Sequence, residues 1–448
     1  MSLRLFKSRN PARALLERHF GAANVDRLIA AGRTFPLTTR VDLQLAFDRQ
    51  FPGRYPAELV GIHSDFVQGN LSIAHLVGRG QFQFPIIVGP LQHDEIDVGE
   101  AVPARSLRSG LWLATSAGTP FAVLLSPPHY GHPAGVHVEV SVAPGETSAA
   151  LSRTFLEELE ALVHQAGSYR GKVLSLEAGA GYSGLGGTVK VHRLPAVTRD
   201  EVILPEATLR LLERNVHGFM RHRERLHQLG LPVKKGLLFY GPPGTGKTHT
   251  IHYLASQLPD HTTLLITSEQ VLLLDHYFQL ARFLQPALIV IEDVDLIARG
   301  REDMRSAREE SLLNKLLNEM DGLRADARLL FVMTTNRPDH LEAALSSRPG
   351  RIDQAIEFPL PDDAGRRRLV ALYARGVRVP DDVAEAIVRK TEKASAAFIK
   401  ELMRRSAQYQ LEAGGSDSLA LAPVDAALDE MLFAGGTLNL KLLGGAAP

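Results

Sequence analysis

Cysteine is absent from this chain of 448 residues. Disulfide staples and thiolate metal centres are therefore excluded, and nothing in the composition points to an oxidising compartment. Net charge is missing as well: Lys+Arg 50 balances Asp+Glu 50, giving a formal charge of +0. That balance argues against a dedicated surface for nucleic acid or anionic membrane, and neither is expected as a partner. No run approaches the ~18 consecutive apolar residues of a membrane-spanning helix. The basic opening stretch MSLRLFKSRNPARALLERHF has no long apolar core, so it does not read as a signal peptide, and a cytoplasmic location is expected.

What remains is ordinary globular material, 45% hydrophobic and 22% charged. The length suits roughly two to three domains. Residues 1–34 read as helical, and 35–105 carry Pro, Gly and Gln without a clear period. Strand patterns then fall at 110–115, 121–125 and 136–140, a helix at 151–162, and further strands at 172–176 and 188–192. From 236 to 358 short apolar strands alternate with helical patterns, which implies a parallel sheet covered by helices. Residues 361–412 read as helical, and a last helix near 424–433 precedes a Gly/Ala tail. The expected class is α/β. An N-terminal mixed α/β domain covers 1–200, a nucleotide-binding domain 201–360, and a helical lid with the terminal helix and tail 361–448.

The most informative stretch is Gly241-Pro242-Pro243-Gly244-Thr245-Gly246-Lys247-Thr248, which fits the phosphate-binding pattern G-x-x-x-x-G-K-[ST] at every fixed position. An apolar strand precedes it and a helix pattern follows, beginning with His249. Glycines let backbone N–H groups turn toward phosphate oxygens, and the helix adds its positive N-terminal end. Lys247 is placed to reach the outer phosphates and Thr248 to offer its hydroxyl to magnesium, so ATP and Mg2+ are the expected cofactors. Next, the apolar run Ala287–Ile291 ends in Glu292-Asp293. Carboxylates at the end of a buried strand can hold a metal ion and activate a water. By position Glu292 serves magnesium, directly or through water, and Asp293 serves the water. The following strand, 331–335, ends in Asn336, which can orient the γ-phosphate or the water or merely cap the turn before Arg337-Pro338. Finally, Arg348 and Arg351 stand three apart in Ser347-Arg-Pro-Gly-Arg-Ile-Asp353, a spacing suited to phosphate oxygens and equally to a solvated loop.

In this order the four motifs resemble the AAA family of ATPases in its narrow sense, over roughly residues 200–412. Asn314–Gly322 is similar to the family's helix before its fourth strand, and Arg348–Asp353 with Glu357–Asp362 is most similar to the proteasomal ATPases. The resemblance implies a homo-hexameric ring with ATP at subunit interfaces. It also implies Arg348 and Arg351 as fingers acting on the neighbour's nucleotide, and Asn336 as a sensor. Thr391–Ala397 is loosely similar to the lid segment near the base and sugar. Such a protein couples hydrolysis to remodelling or assembly of a protein client, here through the N-terminal domain. Processive unfolding and a nucleotide-gated scaffold with little turnover are the alternatives.

Two departures are expected to matter. The family usually has Asp then Glu where this chain has Glu292-Asp293. The interval from Glu269 to Ala281 is short and lacks glycine, leaving little loop for a pore grip. Both features resemble the family's mitochondrial translocase for respiratory-complex assembly. Other signals are discounted. Gly179–Gly184 reads as a hairpin loop, and His129, His132 and His137 as loop histidines. Arg221–Arg225 reads as a solvated helix face and Leu272–Leu274 as core.

Overall fold

The computed structural model describes residues 10–64, 71–78, 86–126, 135–177, 188–297, 316, 318–320, 322, 326–339, 352–414 and 417–434. The chain divides into two compact units, Met1–Arg170 with Ser175–His192, and Gly171–Leu174 with Arg193–Pro448. Arg348 and Arg351, most of the helix expected at 314–322, His129, His132 and Gly179–Gly184 lie outside the described residues.

The first unit is built on an antiparallel six-stranded sheet. Its strands are β1 (Ile29–Pro36), β2 (Ala57–His63), β3 (Ile87–Gly89), β6 (Gly110–Ser116), β7 (Thr119–Ser126) and β8 (Gly135–Val142), in the order β1-β8-β7-β6-β2-β3. A separate pair joins β4 (His93–Ile96) to β5 (Ala104–Leu107). Alternation along the strands feeds two cores, because successive side chains point to opposite faces. On one face Leu111, Leu113, Ala122 and Leu124 pack with helix α1 (Pro11–Phe20) and helix α3 (Ile73–Val77). On the other, Trp112 and Phe121 meet Phe47 of helix α2 (Arg40–Arg49), Tyr55 and Phe155 of helix α4 (Glu146–Ala166). Phe47 and Trp112 stack with ring centroids 4.5 Å apart.

The expected helix over 1–34 is therefore only partly present. It ends at Phe20, and Ile29–Pro36 forms edge strand β1. Only Phe35 is buried in β1, so the sequence carries little strand signal; its register against β8 is a tertiary choice.

The second unit holds a parallel sheet of β11 (Lys235–Tyr240), β12 (Thr262–Ile266), β13 (Ala287–Ile291), β14 (Leu329–Thr335) and β15 (Gln354–Glu357), in the order β12-β13-β14-β11-β15. Val173 and Leu174, at the start of β9 (Val173–Glu177), continue it beyond β12, while the rest of β9 and β10 (Thr188–His192) belong to the first unit. β13 and β14 are buried along their whole length, as expected for parallel strands covered on both faces. One face packs on helix α5 (Glu206–Glu213) and helix α7 (Lys247–Gln257) through Leu209, Leu212, Ile251 and Leu254. Opposite, Phe278 of helix α8 (Leu274–Phe283) packs on Phe331.

Between α5 and α7 lies helix α6 (Phe219–Gln228), and a short helix α9 (Val294–Ile297) follows β13. The lid comprises α10 (Asp363–Tyr373), α11 (Asp381–Lys390), α12 (Ala396–Glu412) and α13 (Leu421–Asp429), around Leu369, Ile387, Ile399, Leu402 and Val424.

Two expectations hold only in part within this unit. Arg223, expected on a solvated face, is 8% exposed and donates from Nε to the Val233 carbonyl at 3.2 Å. The Leu272–Leu274 run splits: Leu273 and Leu274 are buried, but Leu272 is 70% exposed. A turn of 3-10 helix, Ser268–Leu273, brings Leu272 to the outside as its neighbours face inward. Tyr277 and Phe278 are fully buried, and the Tyr277 hydroxyl lies within hydrogen-bond distance of two acceptors, the Leu265 carbonyl and Gln270 Oε1, either of which can take its one proton. Among the described residues no helix is long and apolar enough to cross a membrane.

Candidate functional site

The strand ends of the parallel sheet converge on one cavity of about 360 Å³. Its floor is the loop 241–248 between β11 and α7, and three of its glycines hold the left-handed region, with φ of +143° at Gly241, +75° at Gly244 and +97° at Gly246. The space around two of them is equally restrictive. A Cβ at Gly241 would sit 2.3 Å from the Phe358 carbonyl oxygen, and one at Gly244 would sit 2.9 Å from both Ala397 Cβ and Ser395 Oγ. Glycine is needed here for backbone shape and for close approach of the lid. Ala397 also donates its N–H to the Gly244 carbonyl at 3.1 Å, which ties α12 to the loop.

Gly246 caps α7 and, having no side chain, offers no acceptor to the helix's first amides. That leaves a ready anion site where the helix begins. Lys247 is 7% exposed and, among the described residues, has no carboxylate in ion-pair contact; its Nζ donates to the carbonyls of Gly241 and Pro242 at 2.8 and 2.9 Å. Burial lowers its ammonium to about 8, against the opposing pull of Asp293 and Asp295. A desolvated lysine turned onto its own loop, beside uncapped amides and a backbone stripped of side chains, fits a polyphosphate that would replace the carbonyl contacts.

The carboxylates arrive from β13. Thr248 Oγ1 donates to Glu292 Oε1 at 2.8 Å, joining the two groups expected to hold magnesium. Asp293 has φ +50°, a left-handed conformation that Asp tolerates better than most residues. Its N–H donates to Thr334 Oγ1 at 3.0 Å, and Asn336 Nδ2 donates to its Oδ1 at 3.0 Å. Burial raises the Asp293 carboxyl above its ordinary range and Asp295 adds to the rise, while Lys247 and Asn336 oppose it. A carboxylate with a raised pKa is a better proton acceptor.

Sequence reasoning missed Asp295. It is 2% exposed and accepts from Thr335 Oγ1 at 2.8 Å and from the Asn336 N–H at 3.2 Å. Asp295 thus fixes the turn that aims Asn336 at Asp293. The signal was present as a third acid in Glu292-Asp-Val-Asp295, but only β14 pairing with β13 shows what it holds. Also missed were Glu201–Leu204 and Tyr373, which wall the cavity, and Lys400 on α12, which reaches its rim. His249 Nε2 donates to the Glu201 carbonyl at 3.2 Å and ties that wall to α7.

The residues given above as loop, acids and sensor thus meet in one place: Pro243–His249, Asp293 and Asn336 line the cavity, Gly241 and Pro242 hold Lys247, and Glu292 is reached through Thr248.

Comparison with known proteins agrees with this geometry. Residues 237–360 match the family described as "ATPase family associated with various cellular activities (AAA)". The chain is 32% identical over 233 residues to the proteasome-activating nucleotidase of Pyrococcus horikoshii, covering 50% of this chain and 58% of that protein. It is 31% identical over 228 residues to a cell division cycle protein 48 homolog of Archaeoglobus fulgidus, 49% of this chain and 31% of the other. Against a 26S proteasome regulatory subunit 6B homolog of Dictyostelium discoideum it is 34% identical over 208 residues, covering 43% and 50%. The chain spans between 31% and 58% of the length of these relatives. The glycine loop, the acids that follow β13 and the asparagine that follows β14 therefore lie within the residues that match the AAA ATPase domain, and this core is similar to that of the proteasomal ATPases.

Proposed function

We propose that this protein hydrolyses ATP with magnesium and uses the reaction to remodel or assemble a protein client. The observation that supports it most is the Lys247–Asp293–Asn336 arrangement over an uncapped helix start. Lys247 and the loop amides would hold the phosphates, with Thr248 and Glu292 holding the magnesium ion. The metal supplies charge neutralisation at the phosphates. Asp293 accepts a proton from the attacking water, and Asn336 keeps the Asp293 carboxylate oriented. Asp293 is one methylene shorter than the glutamate usual in the family, so turnover is slow. The walls from Glu201–Leu204 and Tyr373 suit a flat base and ribose, and contact of α12 with the loop at Gly244 lets nucleotide state set lid position.

On this reading the protein is a homo-hexamer, with Arg348 and Arg351 completing a neighbour's site, and residues 1–200 engage the client. Steady-state turnover tests the assembly. Specific activity should rise with protein concentration, and mixing Lys247→Ala with Arg351→Ala subunits should restore some turnover. Concentration-independent activity without rescue would favour arginines that act in cis or serve only structure.

Processive unfolding is the second reading, and exposed Leu272 is the observation that favours it. ATP-dependent loss of fluorescence from a tagged, stably folded reporter, abolished by Leu272→Ser, would establish that reading over client remodelling. A nucleotide-gated scaffold predicts neither turnover nor reporter loss.

A further inference from the structure

A second concavity lies in the ATPase unit, at the opposite end of β11 from the glycine loop. It holds about 750 Å³ between α5, α6 and the starts of β11 and β15. Arg214, His222 and Lys235 line it together with Leu211, Phe219 and Leu226, and among the described residues none that lines it is acidic. A turn of π-helix, Arg214–Gly218, joins α5 to α6 at this point and puts Arg214 on the cavity wall. Such turns recur at functional sites. Lys235 Nζ stands 4.9 Å from the centroid of the Phe219 ring, and buried Arg223 has its guanidinium carbon 6.0 Å from the same ring.

Among the described residues no carboxylate lies within ion-pair distance of Arg214, His222 or Lys235. Burial lowers the Lys235 ammonium, Asp353 opposes this, and Arg214 lowers it further. Asp353 makes no ion pair with Lys235 and directs Oδ2 to the Gly236 N–H at 2.7 Å. Arg223 has its Nη2 buried without a partner. Lys235 is half-buried, and holding its ammonium beside Arg214 costs stability unless an anion offsets it.

We propose that this cavity is a binding site for a phosphate-class anion carried on a small molecule, separate from the ATP site. A phosphate bears about −1.5 to −2 charges and several acceptor oxygens, enough for Arg214 and Lys235 together, whereas one carboxylate neutralises only one of them. The concave volume is that of a small-molecule site, and the apolar walls suit the body that carries the phosphate.

The test is equilibrium dialysis of radiolabelled inorganic pyrophosphate against the full-length chain saturated with ADP and magnesium. One saturable site is expected. Arg214→Gln and Lys235→Gln should each weaken it about tenfold or more, the scale of a lost charge-assisted contact. Lys235→Arg should retain it within about threefold, and Lys247→Ala should leave it intact. Arg214 is exposed, so its variant folds normally and reads the charge alone. Absence of saturable binding overturns the proposal, as does binding lost in Lys247→Ala yet kept in Arg214→Gln, which assigns it to the glycine loop. A glutamate-rich peptide that binds more tightly than pyrophosphate also overturns it, in favour of an acidic protein segment.

Discussion

Lys247→Met tests the electrostatic core of the site. Lys247 is only 7% exposed, and burial brings its ammonium from 10.5 down to about 8. At ~1.4 kcal/mol per pKa unit, the charged form in the folded protein is disfavoured by about 3 kcal/mol. The sign follows from the direction of the shift. Between about 8 and 10.5 the unfolded chain binds the proton more tightly than the folded one, so stability rises with pH across that window. The gain is complete above 10.5 and is lost as pH falls through about 8. Lys247→Met has no such group. Stability of the natural chain minus that of the variant should therefore increase by up to about 3 kcal/mol from pH ~7 to ~10.5. Urea unfolding followed by far-ultraviolet circular dichroism at several pH values measures it, and other titrating groups cancel in the difference. Superimposable profiles would refute a desolvated lysine. Bound phosphates should reverse the preference, because they favour the ammonium. ATP affinity should fall as pH rises through about 8, by up to roughly 30-fold at one and a half units above, if only the charged form binds. A flat affinity would show that Lys247 is not the counter-charge.

Three further outcomes are expected. Asp293→Asn should bind ATP and hydrolyse it at least ~100-fold more slowly, whereas Glu292→Gln should chiefly raise the magnesium requirement; full turnover by Asp293→Asn moves the base to Glu292. Asp295→Ala strands the Thr335 hydroxyl and the Asn336 N–H and should cost about 1–3 kcal/mol in urea unfolding, with slower turnover, and an unchanged rate would remove Asp295 from the positioning of Asn336. Gly244→Ala places a Cβ 2.9 Å from Ala397 and Ser395 at φ +75°. It should weaken ADP binding about tenfold by calorimetry, and wild-type affinity would mean that lid contact is irrelevant to the nucleotide.

Unaided by structure, the sequence settled the parts governed by local chemistry. The backbone shape of Gly241–Thr248 reads directly because its glycines take positive φ, as the phosphate-binding pattern leads one to expect. The core strands were legible because parallel strands buried on both faces are continuous apolar runs, such as Ala-Leu-Ile-Val-Ile at 287–291. The acids Glu292 and Asp293 followed from the end of that run.

What needed tertiary structure depends on pairing between distant segments. Asp295 acquires its role only because β13 and β14 lie side by side and bring Thr335 and Asn336 to it. β1 is a strand because β8 offers it an edge, with Phe35 its only buried side chain. Arg223 sits in a run of polar residues that looks solvated, yet the chain folds back at Val233 and covers it. The cavity of Arg214, His222 and Lys235 joins the helical α5–α6 segment to the start of β11, and a linear pattern carries no trace of that meeting. Periodicity and spacing report what a residue does for its own element, whereas which groups meet across elements is set by how those elements pack.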